Sequence, residues 1–563
     1  MDAALIVSGG PVRSLWETNM GKGVQFNVKR VLAIMLALTL VLTLVPAIGM
    51  AEADNTNTLV LFLIDDPETL DGQLTTDSYT IALNCFDRLV ECETNDKGEA
   101  VLVPGLAKSW DVSEDGLTYT FHLQEGVKFQ NGADFTADDV VYTVNRMMNP
   151  KTLAKNTDFM DMIKGAKAFY EDTTGAVTGV EGVKAIDDMT VEITLESPFG
   201  SFLANIATPG CAIYDRETTE AAGDQFGVDP AKCIGTGPFQ VTKWERGVEV
   251  DVVTNPNYFK GASKLDGIKF MIVPDEDTQR MMFETGQVDV FNFEYGPSQL
   301  DYFLTTGDYK DHIVSGKRAG TYYYLFNESI APLDNVKVRQ ALFMAIDRQG
   351  ILDALYSGKG VVANAFVPEG VLGHNSAAPE IKYDPDAAKA LLAEAGYPNG
   401  FDMEVAQFAD SSSAQQVNEV VQSYLAAIGV NMTINLMDDA TFYGLRGEGK
   451  LPSYYNSWSA DFNDPDNFLY TFFSQKNSIS RSSNYHNEEV WKMLEEARVM
   501  VDPEARLKKY QEAESIIINT DYAILPMYQR EHLFCLNPRV KNFKVAWNGW
   551  NDQSFYSVEI VNP

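Results

Sequence analysis

The sequence predicts an α/β fold, because segments with the period of a strand alternate with segments of helical period. The strand-like segments, rich in β-branched and aromatic residues, are 58–63, 118–123, 190–195, 268–273, 322–326, 403–408 and 431–437. The helical segments are 140–148, 336–346, 386–395, 415–428, 488–500 and 503–518. The order of strand 403–408, helix 415–428 and strand 431–437 predicts a right-handed βαβ unit with parallel strands.

Local signals support several of these elements. The pairs Asp384-Pro385 and Asp502-Pro503 are typical of helix starts, with an aspartate cap followed by proline in the first turn. The glycine-rich run at 235–238 lacks the Lys-Ser/Thr pair of a phosphate-binding loop, so we interpret it as a turn that leads into a strand. Region 87–231, with hairpin-like strands and turn clusters, is predicted to be a separate lobe.

Length and charge limit the function of the chain. Its 563 residues predict two or three domains, because one hydrophobic core rarely grows to that size. The 44 lysine and arginine residues face 79 aspartate and glutamate residues, a formal charge of −35. Such a chain repels phosphate backbones, so we expect no nucleic-acid partner.

Residues 1–53 have the pattern of a signal peptide. Two basic residues at 29–30 precede an apolar run at 31–45, and 51–53 have the small-x-small pattern of a cleavage site. The run is shorter than the roughly 20 residues of a membrane-spanning helix. We therefore expect export to the periplasm or cell envelope, with cleavage after Ala53. No cysteine lies near this site, so no lipid anchor is expected.

The cysteines and histidines give little indication of chemistry. The five cysteines are odd in number, so at least one is free or pairs with another chain. Cys211 and Cys233 are spaced to close a loop, whereas Cys85 falls in an apolar helical pattern and is predicted to be buried. Neither the cysteines nor the five scattered histidines have metal-ligand spacing, so we expect no metal and no cofactor.

The segment 458–468 contains the most informative polar residue. Asp461 follows Trp458 by three positions, carboxylates cluster around it, and the segment contains no lysine, arginine or histidine. A carboxylate beside an apolar ring suits an ammonium group, since charge-assisted hydrogen bonds are stronger than neutral ones. Local chemistry alone nevertheless favours a structural turn, because Asp-Pro and Asn-Asp are common turn formers. No nucleophile elbow or distinctive carboxylate pair indicates an enzyme.

Seven motifs follow one another along the chain. They are PGLAKSW at 104–110, SEDGLTYTF at 113–121, GVKF at 126–129, ADDV at 137–140, IGTGPF at 234–239, GQVD at 286–289 and NVKVRQA at 335–341. In these motifs and their order the chain resembles extracellular solute-binding proteins of the peptide-binding family. The most similar patterns are those of dipeptide- and oligopeptide-binding components of ABC importers.

The resemblance implies a periplasmic-binding-protein-like fold of two α/β lobes joined by a hinge, with an extra domain inserted in the first lobe. Lobe I would then combine residues 54–86, 232–318 and 535–563, with the inserted domain at 87–231 and lobe II at 319–534. It also implies that a peptide lies as an extended strand between the lobes. By the same resemblance, we expect the lobes of a monomer to close over this peptide and to present it to the membrane permease of an ABC importer.

The resemblance also implies roles for individual residues. Asp461 matches the aspartate that binds the ligand's terminal ammonium, Trp458 would wall the pocket, and the Ser459 backbone would pair with the ligand. Tyr455 occupies the position of an arginine in some oligopeptide-binding members. Glu68 lies in a turn that matches a family turn near the cleft, and a solvated turn carboxylate is an equal alternative for it.

One departure from the family pattern concerns the ligand's carboxylate. Dipeptide-binding members hold it with an arginine after the strand that matches 403–408, but residues 390–445 contain no lysine or arginine. The sequence therefore predicts a longer peptide, or an amine-bearing compound that is not a peptide. A receptor for a nickel chelate or an oligosaccharide and an exported hydrolase are the remaining alternatives.

Overall fold

The computed structural model describes residues 57–76, 79–409, 411–549 and 553–561. The predicted signal peptide and its cleavage site lie outside these residues. None of the helices in the described segments combines the length and apolar character needed to cross a membrane. The described chain mixes helices and strands throughout, which confirms the predicted α/β class.

The strands and helices take the following bounds. The strands are β1 (Thr58–Leu63), β2 (Val90–Thr94), β3 (Ala100–Pro104), β4 (Ala107–Val112), β5 (Thr118–Leu123), β6 (Val183–Asp187), β7 (Thr190–Thr194), β8 (Phe239–Glu245), β9 (Glu249–Thr254), β10 (Gly267–Ile272), β11 (Val290–Asn292), β12 (Ile313–Lys317), β13 (Gly320–Phe326), β14 (Val361–Val362), β15 (Asp402–Phe408), β16 (Asn431–Met437), β17 (Ser453–Ser459), β18 (Ile524–Gln529), β19 (Glu531–Leu536), β20 (Val540–Lys541) and β21 (Glu559–Ile560). The helices are α1 (Tyr79–Cys85), α2 (Ala137–Met148), α3 (Ala166–Glu171), α4 (Phe202–Ile206), α5 (Arg216–Ala222), α6 (Glu276–Glu284), α7 (Leu300–Thr305), α8 (Val336–Ala345), α9 (Arg348–Tyr356), α10 (Pro385–Glu394), α11 (Ser412–Ala427), α12 (Asp439–Gly447), α13 (Asp466–Phe473), α14 (Glu488–Val499) and α15 (Pro503–Asn519).

The elements predicted from periodicity are all present, with ends shifted by a few residues. The strands are β1, β5, β7, β10, β13, β15 and β16, and the helices are α2, α8, α10, α11, α14 and α15. The aspartate caps are also confirmed. Asp384 accepts a hydrogen bond from the backbone N–H of Ala387 at 2.9 Å, and Asp502 accepts one from that of Ala505 at 2.8 Å.

A six-stranded sheet forms the centre of the carboxy-terminal half, in the order β14-β18-β13-β17-β15-β16. β15 and β16 are parallel over seven residue pairs and α11 connects them, which confirms the parallel βαβ unit. Helices pack on this sheet through a large apolar cluster that includes the fully buried Val405, Val417 and Val421. The sheet is therefore a firm support for β17, which sequence periodicity did not reveal.

The other sheets belong to the remaining parts of the chain. A four-stranded sheet has the order β1-β10-β9-β8, and a three-stranded sheet has the order β11-β19-β12. The antiparallel sheet β4-β5-β7-β6 has a buried cluster of its own, drawn from residues between Leu89 and Ile234. The domain boundaries implied by the resemblance stay a prediction.

The chain passes twice between the three-stranded and six-stranded sheets, from β12 to β13 and from β18 to β19. Arg318 and Arg530 lie at these two crossings, and each donates a hydrogen bond to the hydroxyl of Tyr322, at 3.1 and 3.2 Å. Arg318 also pairs with Glu294 at 3.1 Å, and Nε2 of His532 lies 2.9 Å from the same carboxylate. Polar contacts thus join the two crossing segments.

The glycine-rich run has the structural role predicted for it. The run at 235–238 leads directly into β8, as predicted, and a Cβ at Gly237 would lie 2.5 Å from the carbonyl carbon of Cys85. Only glycine permits this close backbone approach.

The cysteines agree only in part with their predicted roles. Cys85 is fully buried, as predicted. Cys211 and Cys233 are both free, so they do not close the loop that their spacing allows.

Candidate ligand-binding site

The structure contains a cleft of about 1160 Å³. Its walls come from the turn after β1, from residues 155–167 of the predicted inserted domain, and from residues 439–481 around the end of β17. Small-molecule pockets usually have about 300–1,000 Å³, so this cleft has room for a ligand of several residues.

Asp461 lies in this cleft, just beyond the end of β17, and Asn467 orients it. Asn467 Nδ2 donates to Asp461 Oδ2 at 2.9 Å, and the Asp461 backbone N–H donates to Asn467 Oδ1 at 2.9 Å. The indole N–H of Trp458 donates to the backbone oxygen of Asn467 at 3.0 Å. Asn467 is buried in the first turn of α13. Asn467 thus holds both Trp458 and the Asp461 carboxylate in place through its backbone oxygen and its side-chain amide.

The carboxylates of segment 458–468 differ in their partners. Asp464 pairs with Arg506 at 2.7 Å, and Asp466 pairs with Arg498 at 3.0 Å. Asp461 has no ion pair with any described residue. The sequence showed that the segment has no cation of its own, but only the fold shows that α14 and α15 supply cations to two of its carboxylates. Asp461 is therefore the carboxylate of this group whose charge no described cation pairs with.

The surroundings of Asp461 raise the pKa of its carboxyl group towards neutral pH. Its side chain is exposed to the cleft, yet the walls replace much of the water that would solvate a surface carboxylate. This desolvation raises the pKa of Asp461 to about 6, and Asp158 adds to the rise. The hydrogen bond from Asn467 and the charge of Arg481 act in the opposite direction.

We expect the affinity for an ammonium ligand to fall as the pH falls through about 6, because only ionised Asp461 forms the ion pair. A carboxyl with this raised pKa is mostly charged at pH 7 and about nine-tenths protonated at pH 5, so the affinity falls roughly tenfold. Calorimetric titrations across this range measure the effect. The Asp461→Asn variant is expected to lose this pH dependence, and a flat profile for the unmodified protein would contradict it.

Trp458 and Ser459, the other predicted residues of this segment, also line the cleft. The Trp458 ring packs edge-on against Phe472, with centroids 5.2 Å apart. The guanidinium of Arg481 lies over the Trp458 ring at 4.6 Å. Ser459 Oγ accepts a hydrogen bond from Arg318 at 3.2 Å. The structure therefore brings Trp458, Ser459 and Asp461 together on one wall.

Tyr455 and Glu68 are placed differently. Tyr455 is 5% exposed, and its hydroxyl lies 2.6 Å from that of Tyr528 within the tyrosine cluster beneath β17. It does not line the cleft, because its side chain packs in the core. Glu68 is exposed beside the cleft, whereas its neighbours Asp65 and Asp66 line it.

Sequence reasoning singled out few of the residues that line the cleft, and it did not identify Asn467, Arg446 or Arg481. Asn467 follows Asp466 at the start of α13, and the rest of this helix is apolar apart from Thr471. Arg446 lies one position beyond the stretch without cations, at the end of α12, and Arg481 follows α13 in an irregular segment. Nothing in sequence spacing places these two side chains in the same cleft as Trp458.

Comparison with known proteins identifies the family. Residues 101–480, more than half of the chain, match the bacterial extracellular solute-binding proteins, family 5 Middle. The chain belongs to this family. It is 32% identical over 489 residues to heme-binding protein A of Haemophilus influenzae, covering 84% of this chain and 86% of that protein. It is 30% identical over 492 residues to the dipeptide-binding protein of Escherichia coli K12, covering 84% and 89%.

A solved family structure agrees with this assignment. HbpA2 from Haemophilus parasuis superposes with a TM-score of 0.76 at 30% sequence identity, covering 90% of this chain and all of that one. This likeness confirms the binding-protein fold predicted from the sequence motifs. Because the chain is a member of a solute-binding family, it is a binding protein and not an exported hydrolase.

Proposed function

We propose that this family 5 protein is a receptor for peptides with a free amino terminus, with oligopeptides preferred over dipeptides. The observation that carries the proposal is Asp461, a carboxylate that is held by Asn467, faces the cleft and has no cationic partner among the described residues. A terminal ammonium satisfies this charge with a short, charge-assisted hydrogen bond. The name of the dipeptide-binding relative supports a peptide ligand.

The edge of β17 supports an extended ligand. Along one side, β17 pairs with β13 over seven residue pairs, from Ser453 to Ser459. On the other side its ladder with β15 contains a single pair, Ala406 with Tyr454. The end of β17 near Ser459 therefore has an edge available for a peptide backbone. Pairing of this kind binds groups that all peptides share, so it tolerates different side chains.

We also propose that the captured peptide is delivered to the membrane permease of an ABC importer. Closure over the ligand would bend the chain at its two crossings, near Arg318 and Arg530. A ligand favours closure only through contacts that the closed state alone makes.

Mass spectrometry of molecules that co-purify with the mature protein tests the function directly. The expected result is a set of intact peptides with free amino termini. Recovery of a non-peptide solute alone, together with no calorimetric response to a peptide mixture, would refute the proposal.

We expect dipeptides to bind more weakly than peptides of four or five residues. A short peptide leaves much of the 1160 Å³ cleft unfilled and makes fewer backbone contacts with β17. Calorimetric titration of an alanine series of two to five residues measures the difference. Equal or tighter binding of the dipeptide would contradict the length preference and leave peptide binding itself intact.

A further inference from the structure

Two arginines that the proposed ammonium site does not use lie close together on the same wall of the cleft. Arg446 is in the last turn of α12, and Arg481 is in the segment after α13. Their backbones are adjacent, because Ser482 Oγ donates to the carbonyl oxygen of Arg446 at 2.9 Å. The Tyr454 hydroxyl donates to the carbonyl oxygen of Arg481 at 2.8 Å. The two arginines are thus anchored through their backbones, and their side chains line the cleft.

Aromatic rings position both guanidinium groups. That of Arg481 lies over the ring of Trp458 at 4.6 Å and over that of Phe472 at 4.8 Å. That of Arg446 lies 4.7 Å from the centre of the Tyr443 ring. Stacking of this kind orients a guanidinium group and leaves its N–H edges available for hydrogen bonds.

Neither arginine has a carboxylate partner in the described part of the chain, and the same holds for Lys155 and Lys476 of the cleft, whereas three other cations of the cleft are paired. The paired cations are Lys167 with Asp161, Arg318 with Glu294, and Arg498 with Asp466. Nε of Arg446 is buried and has no hydrogen-bond partner among the described residues.

The two arginines also disfavour each other electrostatically. Burial lowers the pKa of Arg481, and the positive charge of Arg446 lowers it further. Asp461 acts in the opposite direction, but not at ion-pair distance. Two neighbouring cations in a partly desolvated wall are unfavourable unless an anion joins them.

We propose that Arg446 and Arg481 form an anion subsite that binds a carboxylate of the ligand close to its amino terminus. The inference rests on the proposed peptide function. Arg481 contacts Trp458, and Asp461 follows Trp458 by three residues, so the subsite adjoins the ammonium anchor. Asp461 and Arg481 also act on each other electrostatically, which requires that the two groups are near one another. Because successive Cα atoms of a peptide are about 3.8 Å apart, we place the carboxylate on one of the first two residues.

Two sources supply a carboxylate at that place: an acidic side chain in a longer peptide, or the terminal carboxylate of a dipeptide. A guanidinium group can donate two parallel hydrogen bonds to the two oxygens of either carboxylate. Because we propose that longer peptides are preferred over dipeptides, we expect the carboxylate to come from an acidic side chain.

The subsite is tested by combining a substitution in the peptide with a substitution in the protein and measuring each affinity. Calorimetry compares alanine pentapeptides that have glutamate or glutamine at the first or second residue, with unmodified protein and with Arg481→Gln and Arg446→Gln. One glutamate peptide is expected to bind the unmodified protein about ten- to a hundredfold more tightly than its glutamine partner. Each variant is expected to lose most of this ratio, whatever its affinity for the glutamine peptide. A second set of titrations compares dialanine with dialanine that is amidated at its carboxy terminus, which tests whether the subsite binds the terminal carboxylate of a dipeptide.

Arg216→Gln is the matched control, because Arg216 is an exposed arginine outside the cleft, paired only at 3.7 Å with Glu220. It is expected to keep the full glutamate preference. Equal binding of all glutamate and glutamine peptides, with no effect of amidation on dialanine, would overturn the anion subsite while peptide binding stands. An effect of amidation alone, lost in both variants, would support the subsite and assign it to the terminal carboxylate. Absence of binding by every peptide would refute the proposed function itself, and with it the subsite.

Discussion

Asp461→Asn is expected to weaken the binding of peptides with a free amino terminus about ten- to a hundredfold. Losing a hydrogen bond to a charged group costs about 1.5–3 kcal/mol, and each 1.4 kcal/mol is about tenfold in affinity. The asparagine keeps the shape of the side chain and one oxygen for the contact with Asn467. Isothermal titration calorimetry with one pentapeptide, before and after amino-terminal acetylation, measures the effect.

The acetylated peptide and a surface variant are the controls for this result. Acetylation removes the ammonium charge, so the unmodified protein should lose affinity for that peptide and the variant should discriminate little between the two forms. Asp188→Asn, in an exposed turn outside the cleft, makes the same charge change and is expected to leave binding unaltered. Unchanged affinity of Asp461→Asn would refute the assignment of this residue.

Asp464→Ala is expected to lower the free energy of unfolding by about 3–5 kcal/mol, the cost of leaving one partner of a buried ion pair uncompensated. Asp464 accepts two hydrogen bonds from Arg506, at 2.8 and 2.7 Å, and both side chains are almost fully buried. Arg506 also donates to Ser201 Oγ at 2.7 Å, so the pair lies where region 87–231 meets α15. Removing the carboxylate leaves the guanidinium desolvated at this junction.

Denaturant unfolding, followed by both tryptophan fluorescence and circular dichroism, measures the loss. Two probes are needed because a chain of this size can unfold in more than one step. Glu512→Ala is the control, since its pair with Lys508 on the same helix is exposed and spans 3.8 Å. Exposed pairs contribute about 0–1 kcal/mol, so a comparable loss in both variants would contradict the role assigned to the buried pair.

Local sequence was sufficient to predict the elements that are specified by the periodicity and the capping residues of their own segment. The βαβ unit from β15 to β16 and the caps at Asp384 and Asp502 were predicted correctly, because periodicity and capping operate over a few neighbouring residues. β17 was missed, because its sequence SYYNSWS does not alternate between apolar and polar residues. Its position between β13 and β15 makes it a strand despite that pattern.

The sequence by itself determined the family, through motifs spread over the chain, and it singled out Asp461 after Trp458 as the candidate anchor. Only the tertiary structure decided which carboxylates of that segment are free, because the cations that pair with Asp464 and Asp466 are contributed by α14 and α15. It also brought Arg446 and Arg481 into one cleft, with Arg481 over the ring of Trp458, from segments with no shared pattern. Charge pairing depends on distance in space, and sequence spacing predicts that distance only within single elements.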